Sequence, residues 1–402
     1  MPPPPDSRSK GTAARPVSLI LVSHSYPPVL GGSEIEAQRV CAGLMRRGHR
    51  VTVLCAGGPP MPDVSRWTDP FGVPVRIFGR RQTGRWRDYA FALAVAWTLF
   101  RERRNYQLVY FLMQGLHLAA ALPVGRALGK PMVMKVSGSS LITMMRQSWI
   151  GRLELRWLNR WARRIMILNE GMAAEAAAAG MDSQRLLWMP NPVDTDEFTP
   201  PTPAEKNALR AAMGIPADAR CVMFVGRLAP EKELSSLVGA IPAVVARVPQ
   251  AMLILIGDGP CRGELEQRAK ALGMDAHIRF MGRQPVADVR KWLQASDVFT
   301  LVSSNEGFPC SLVEAMSVGL PSVVSDIPAN AQLIEPRVHG LAAALGDSDS
   351  IARSLVEILE DTEAGRRMGH AARQSVLDNY SMDKVIDRYE ALFAESGAGG
   401  LG

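Results

Sequence analysis

The stretch PNPVDTDEFTPPTP, residues 190–203, divides the chain into two runs of one pattern. Its prolines and polar residues make it a linker. Before it, VSLILVS (17–23), VTVLC (51–55), QLVYFL (107–112), PMVMKV (131–136) and the apolar run at 163–168 have the length of buried strands. Helical periodicity separates them near 33–47, 90–104, 116–128 and 150–162. After it, CVMFVG (221–226), MLILIG (252–257), DVFTLV (297–302) and PSVVS (321–325) restart the alternation. Continuous apolar strands alternating with helices belong to parallel sheets covered on both faces. The expected fold class is therefore α/β, with two doubly wound domains, 16–190 and 191–380, facing each other across a cleft. Residues 1–15, MPPPPDSRSKGTAAR, read as a disordered arm without the apolar core of a signal peptide. Residues 381–402 carry a last helix, Asp383 to Glu395, free to pack back on the first domain, and then a tail.

A chain of 402 residues with 47% apolar content has core material for two or three domains, which excludes disordered, collagenous and disulfide-stapled classes. Cys41, Cys55, Cys221, Cys261 and Cys310 are scattered with no CxxC pair, so reduced thiols are expected rather than a zinc site. The longest apolar run, YAFALAVAWTLF (89–100), is 12 residues, short of the roughly 20 of a spanning helix. A cytoplasmic protein, peripheral on the inner face of the membrane at most, is expected. The net charge of +7 conceals an asymmetry: residues 1–190 hold 26 Lys+Arg against 11 Asp+Glu, and residues 191–402 hold 20 against 28. Domains of opposite charge meet different partners.

The second half concentrates the chemistry. In FVGRLAPEKE (224–233), Arg227 and Lys232 follow a strand, at the sheet edge where ligands bind in open α/β folds. Two cations there suit a diphosphate, although isolated surface charges read the same way. In SSNEGFPCSLVEAMSVGLPSVVSD (303–326), a helix opens near Ser311 and offers backbone N–H groups to an anion. Ser311 and Glu314 also fit a capping box, and Asp258 of GDGP suits a turn former.

This half resembles the nucleotide-sugar-binding domain of the GT4 family of retaining glycosyltransferases, which have the GT-B fold of two Rossmann-like domains. The resemblance rests on GRLAPEK (226–232), LILIGDGP (253–260), FMGR (280–283) and EGFPCSLVEAMSVGLPSVVSD (306–326), and extends over about 17–395. It implies that Glu306 touches donor-sugar hydroxyls, that Glu314 binds the ribose, and that Arg227 and Lys232 hold the diphosphate. It further implies that Phe308, Pro309 and the N–H groups at Ser311 and Leu312 complete the donor site, with Arg283 beside the base.

SYPPVLGGSEIEAQRVCAGLMRRGHRVTVL (25–54) resembles the family's opening unit, whose Gly31–Gly32 loop, before a helix that Ser33 could cap, lies near the donor phosphates and the acceptor. His49 reads as structural. Three departures stand out. Ser137 occupies the point where many members have a His, NPVD (191–194) replaces the commoner NGVD, and Met382 replaces a frequent Trp.

The resemblance implies retaining, front-face transfer of a hexose-type sugar from a nucleoside-diphosphate sugar, a UDP-sugar first and GDP-mannose second. The acceptor is a hydroxyl of a glycan or lipid-linked molecule in polysaccharide or glycoconjugate biosynthesis. The donor is a substrate. No cofactor, no metal and no nucleic-acid partner is expected. A GT-B nucleotide-sugar epimerase or a non-catalytic sugar-nucleotide-binding protein are the alternatives. The basic half supplies clusters at Arg80, Arg81, Arg85, Trp86 and Arg87 and at Arg101, Arg103 and Arg104, while RQSWIGRLELRWLNRWARR (146–164) adds Trp149, Trp157 and Trp161. Such basic and aromatic stretches suit an anionic membrane surface.

Overall fold

The computed structural model describes residues 15–29, 31–58, 61–62, 64–79, 84–112 and 114–397. The arm up to residue 14, Arg80, Arg81 and the final tail lie outside the described residues.

The first sheet contains β1 (Ser18–Ser23), β2 (Arg50–Ala56), β3 (Arg66–Thr68), β4 (Pro74–Phe78), β5 (Leu108–Leu112), β6 (Met132–Lys135), β7 (Arg164–Ile167) and β8 (Leu186–Trp188), in the order β3-β4-β2-β1-β5-β6-β7-β8. Every pair is parallel except β3–β4. The second sheet contains β9 (Arg220–Val225), β10 (Ala251–Ile256), β11 (Ile278–Gly282), β12 (Val298–Leu301), β13 (Ser322–Ser325) and β14 (Gly340–Ala343), all parallel, in the order β11-β10-β9-β12-β13-β14. Strand order reverses between β1 and β5 in one sheet and between β9 and β12 in the other. Ligands of doubly wound sheets bind at such switch points, outside the carboxyl ends of the strands.

One face of the first sheet is covered by the helices Gly84–Arg101, Leu116–Ala127 and Trp149–Trp161, whose Phe91, Leu99, Leu122, Leu155 and Leu158 are buried in a core continuous with that of the second sheet. The other face is covered by the helices Gly32–Arg46 and Met382–Glu395, through Val40, Leu44, Ile386, Tyr389 and Phe393. The last helix thus sits on the first sheet. Its Glu390 meets Nε2 of the buried His49 at 3.1 Å, while Nδ1 of that histidine accepts from the Val17 N–H at 3.0 Å. His49 is structural.

A buried polar cluster joins these parts. Lys135, at the carboxyl end of β6, is wholly buried and donates to Glu36 Oε1 at 2.6 Å and to Asn191 Oδ1 at 2.8 Å. Tyr389 donates to the same Glu36 oxygen at 3.4 Å and lies 3.0 Å from the Tyr110 hydroxyl. Burial pulls the Lys135 ammonium below its ordinary range, and Glu36 offsets part of that. Glu36 Oε2 is buried without a partner among the described residues. Asn191 Nδ2 reaches Cys310 Sγ of the second domain at 3.5 Å. One network therefore ties the first sheet, the start of the linker, the last helix and a helix of the second domain.

Two local expectations are corrected. The helix Cys310–Ser317 begins after Pro309, with no side-chain cap, so Ser311 and Glu314 form no capping box. The helix Gly32–Arg46 begins after Gly31, also without a side-chain cap, so Ser33 lies inside the first turn.

Candidate active site

The two carboxyl edges face each other. Asn169, just past β7, caps the helix Glu170–Ala178 with Oδ1, which accepts from the Met172 N–H at 2.9 Å. Its Nδ2 donates across the cleft to the carbonyls of Gly307, at 2.6 Å, and Glu306, at 3.3 Å. A Cβ on Gly307 would lie 3.3 Å from the Ser137 carbonyl and 3.4 Å from the Ser139 nitrogen. Ser137, past β6, therefore stands opposite the 306–307 loop past β12.

Lys232 and Glu306 meet at the β9/β12 switch point, Nζ to Oε1 at 2.5 Å, with 16% and 10% of their side chains exposed. Two bonds hold the loops carrying them together: Ser304 donates its N–H to the Glu231 carbonyl at 2.9 Å and its hydroxyl to the same oxygen at 3.2 Å. The GDGP loop braces the same corner. Gly257 has φ +132°, and a Cβ there would fall 1.8 Å from the Gly226 carbonyl, so only glycine permits this approach. Asp258 Oδ1 accepts from the Gly259 N–H at 2.8 Å, as a turn former does.

The other expected residues divide. Arg227 is 65% exposed and turned to Glu231, Nη2 to Oε1 at 2.6 Å, rather than toward Glu306. Glu314 is largely buried and accepts from Arg39 of the first domain at 2.9 Å. Burial raises the Glu314 carboxyl above its usual range, and the Arg39 guanidinium opposes that rise. Phe308 is buried against Tyr380, ring centroids 5.9 Å apart, and Leu312 is fully buried, so only backbone at these positions can face a ligand. The Leu312 N–H is bonded to the Pro309 carbonyl at 3.0 Å, as is that of Val313 at 3.2 Å, because the helix opens with a tight turn. The Ser311 N–H has no such partner among the described residues and is open to an anion. Arg283 is exposed, past β11.

Gly31 caps a helix start that already holds a carboxylate. A Cβ on Gly31 would fall 2.2 Å from Glu34 Oε2, and Ser25 donates to Glu34 Oε1 at 2.5 Å. A carboxylate stabilises this helix end and repels a phosphate. Glu34 and Ser25 thus stand beside the Gly31–Gly32 loop and offer hydrogen-bonding groups at this edge. Gly32 is exposed with open space around it.

Sequence reasoning missed Arg39, Glu34 and Asn169. Only Asn169 left a signal, as an N-cap residue directly after an apolar strand.

The model of the family described as "Glycosyl transferases group 1" matches residues 205–375, and that described as "Glycosyl transferase 4-like domain" matches residues 31–192. The chain belongs to the GT4 glycosyltransferase family. This GT4 chain is 29% identical to N-acetyl-alpha-D-glucosaminyl L-malate synthase of Bacillus anthracis, over 46% of its length and 48% of the relative's. It is 30% identical to the GDP-mannose-dependent monoacylated alpha-(1-6)-phosphatidylinositol monomannoside mannosyltransferase of Corynebacterium glutamicum, over 50% of its length and 54% of the relative's. The chain thus spans about half the length of these relatives. Among solved structures it superposes on Anabaena Alr3699/HepE in complex with UDP and glucose with a TM-score of 0.78 at 20% identity, covering 94% of this chain and 99% of that one. The fold is GT-B.

Proposed function

We propose that this GT4 chain transfers a hexose-type sugar, with retention, from a nucleoside-diphosphate sugar to a hydroxyl of a glycan or lipid-linked acceptor. The observation that carries this is the Lys232–Glu306 contact at the β9/β12 switch point, facing the first sheet's edge. A UDP-sugar is the first choice of donor, supported by the UDP in the Alr3699/HepE structure, and GDP-mannose the second, supported by the name of the Corynebacterium relative. That relative's phosphatidylinositol-based name supports a lipid-linked acceptor in glycoconjugate biosynthesis. The basic first half supports contact with an anionic membrane surface.

Negative charge grows on the leaving diphosphate as the glycosidic bond stretches. Lys232 has three donors, so it can retain Glu306 while giving another N–H to that charge. Arg227, swung from Glu231, and the Ser311 N–H add to it, which places the charge stabilisation on protein groups without a metal. Glu306 accepts from a donor-sugar hydroxyl and Glu314 from the ribose. Serine at 137 is no general base unaided, so the departing phosphate oxygen takes the acceptor proton on the same face. Glu34 and Ser25, on the opposite edge, are placed for acceptor hydroxyls. A thermal-shift screen of UDP, GDP and ADP tests the donor site: a rise of a few degrees with one nucleotide is expected, and no shift with any of the three contradicts it.

A further inference from the structure

The helix Gly84–Arg101 has two apolar faces. One is core: Phe91, Val95 and Leu99 are fully buried. The other carries Trp86, Tyr89, Leu93, Trp97 and Phe100, which are 76%, 50%, 71%, 61% and 50% exposed. Steps of three and four residues place all five in one stripe, roughly 21 Å long at 1.5 Å per residue. Its rings touch in pairs, Trp86 with Tyr89 at 6.1 Å and Trp97 with Phe100 at 6.2 Å between centroids. A contiguous apolar stripe of this kind on a water-exposed surface marks an interaction site.

The charges around it have one sign. Arg85 lies at one end, and Arg101, Arg103 and Arg104 at the other, all exposed. The acids of this segment are engaged elsewhere: Asp88 with His24 at 3.0 Å, and Glu102 with Arg76. In the same helical layer, Arg152, Arg156 and Arg160 of the helix Trp149–Trp161 are also exposed.

We infer that this stripe is the surface by which the chain docks on an anionic lipid bilayer. Leu93 enters the acyl boundary, the aromatic rings sit at the interface, and the arginines meet headgroup phosphates. A second copy of this chain on the same stripe would bring like-charged arginine clusters together, which selects lipid over self-association. The assignment rests on the proposed membrane contact of the first half, and it narrows that contact to the helix Gly84–Arg101 and its flanking arginines. Trp157 and Trp161, expected to face the membrane, stack on each other at 5.2 Å and pack against the core, leaving Trp149 exposed.

Co-sedimentation of the full chain at low salt with vesicles of phosphatidylcholine, with and without phosphatidylglycerol, tests it. The wild type is expected to pellet only with phosphatidylglycerol, and the exposed-site variants Leu93→Glu/Trp97→Glu and Trp86→Ser/Tyr89→Ser to bind about tenfold more weakly or less, with unchanged melting and nucleotide-induced shift. Undiminished pelleting of both, with loss in Arg152→Ser/Arg156→Ser/Arg160→Ser, overturns the stripe and leaves the membrane contact standing. No pelleting of the wild type overturns both. A change of oligomeric state in the stripe variants, with no vesicle binding by the wild type, makes a second copy the occupant and likewise overturns the inference.

Discussion

Arg39 of the first domain donates to the Glu314 carboxylate of the second at 2.9 Å, and neither side chain has another ion-pair partner among the described residues. The pair spans the cleft at the place proposed for the ribose. The Arg39 guanidinium opposes the rise that burial imposes on the Glu314 carboxyl and so favours its ionised form. In Arg39→Gln, burial and the nearby Glu197 carboxylate act unopposed and the Glu314 pKa rises further. Nucleoside-diphosphate affinity is expected to fall about tenfold near neutral pH, roughly 1.4 kcal/mol, and to recover as pH rises and Glu314 ionises. Calorimetric titration at several pH values reads both effects; a variant with wild-type affinity at every pH would show that Arg39 does not position Glu314.

Lys135 and Glu36 form an ion pair with no exposed surface, extended by Asn191 and Tyr389. Lys135→Ala leaves Glu36 buried and uncompensated, and is expected to destabilise the chain by about 3–5 kcal/mol. Lys135→Met with Glu36→Leu removes both charges and should recover most of that loss. Denaturant unfolding of the three proteins measures it. Equal stability of the single and double variants would mean that the charge left behind is not the cause.

Glu154, on the helix Trp149–Trp161, is buried, and burial pushes its carboxyl up to about 7, with a hydrogen bond from the Ala119 backbone opposing the rise. The folded state holds this proton more tightly than the unfolded chain. Its contribution is complete below the ordinary carboxylate pKa and is lost as pH rises through about 7. Melting temperature should therefore decline from pH 5 to 8 more steeply in the wild type than in Glu154→Gln, whose stability at the upper end should be higher by on the order of 3 kcal/mol. Parallel melting curves across that range would contradict it.

The fold was legible where strands are buried on both faces. β1, β5, β10, β12 and β13 are uniformly buried, with only serine or threonine among their apolar residues, and stand out as runs. β3, β4 and β8 are short and partly exposed, and β14 reads GLAA, so they left no such signal. Lys232 and Glu306 were each legible from their motifs, but not their contact, which is made by the packing of β9 beside β12. Arg39 and Glu34 looked like ordinary charges of an amphipathic helix. Arg39 gains meaning only with Glu314 of the second domain opposite it, and Glu34 only with the Ser25 turn beside it. Trp157 and Trp161 were misread for a related reason: helical spacing gives a residue's face and not what lies against it, and both proved to pack on the core.

In the proposed reaction Lys232 and Glu306 act together on the donor. The direct measurement is nucleotide release from the nucleoside-diphosphate sugar whose nucleotide stabilises the protein most, in the wild type, Lys232→Ala and Glu306→Gln. Removing either group should lower turnover about 10²–10³-fold, the loss typical of one preorganised electrostatic contact, with melting temperature close to that of the wild type. Wild-type turnover in both variants would contradict this joint role.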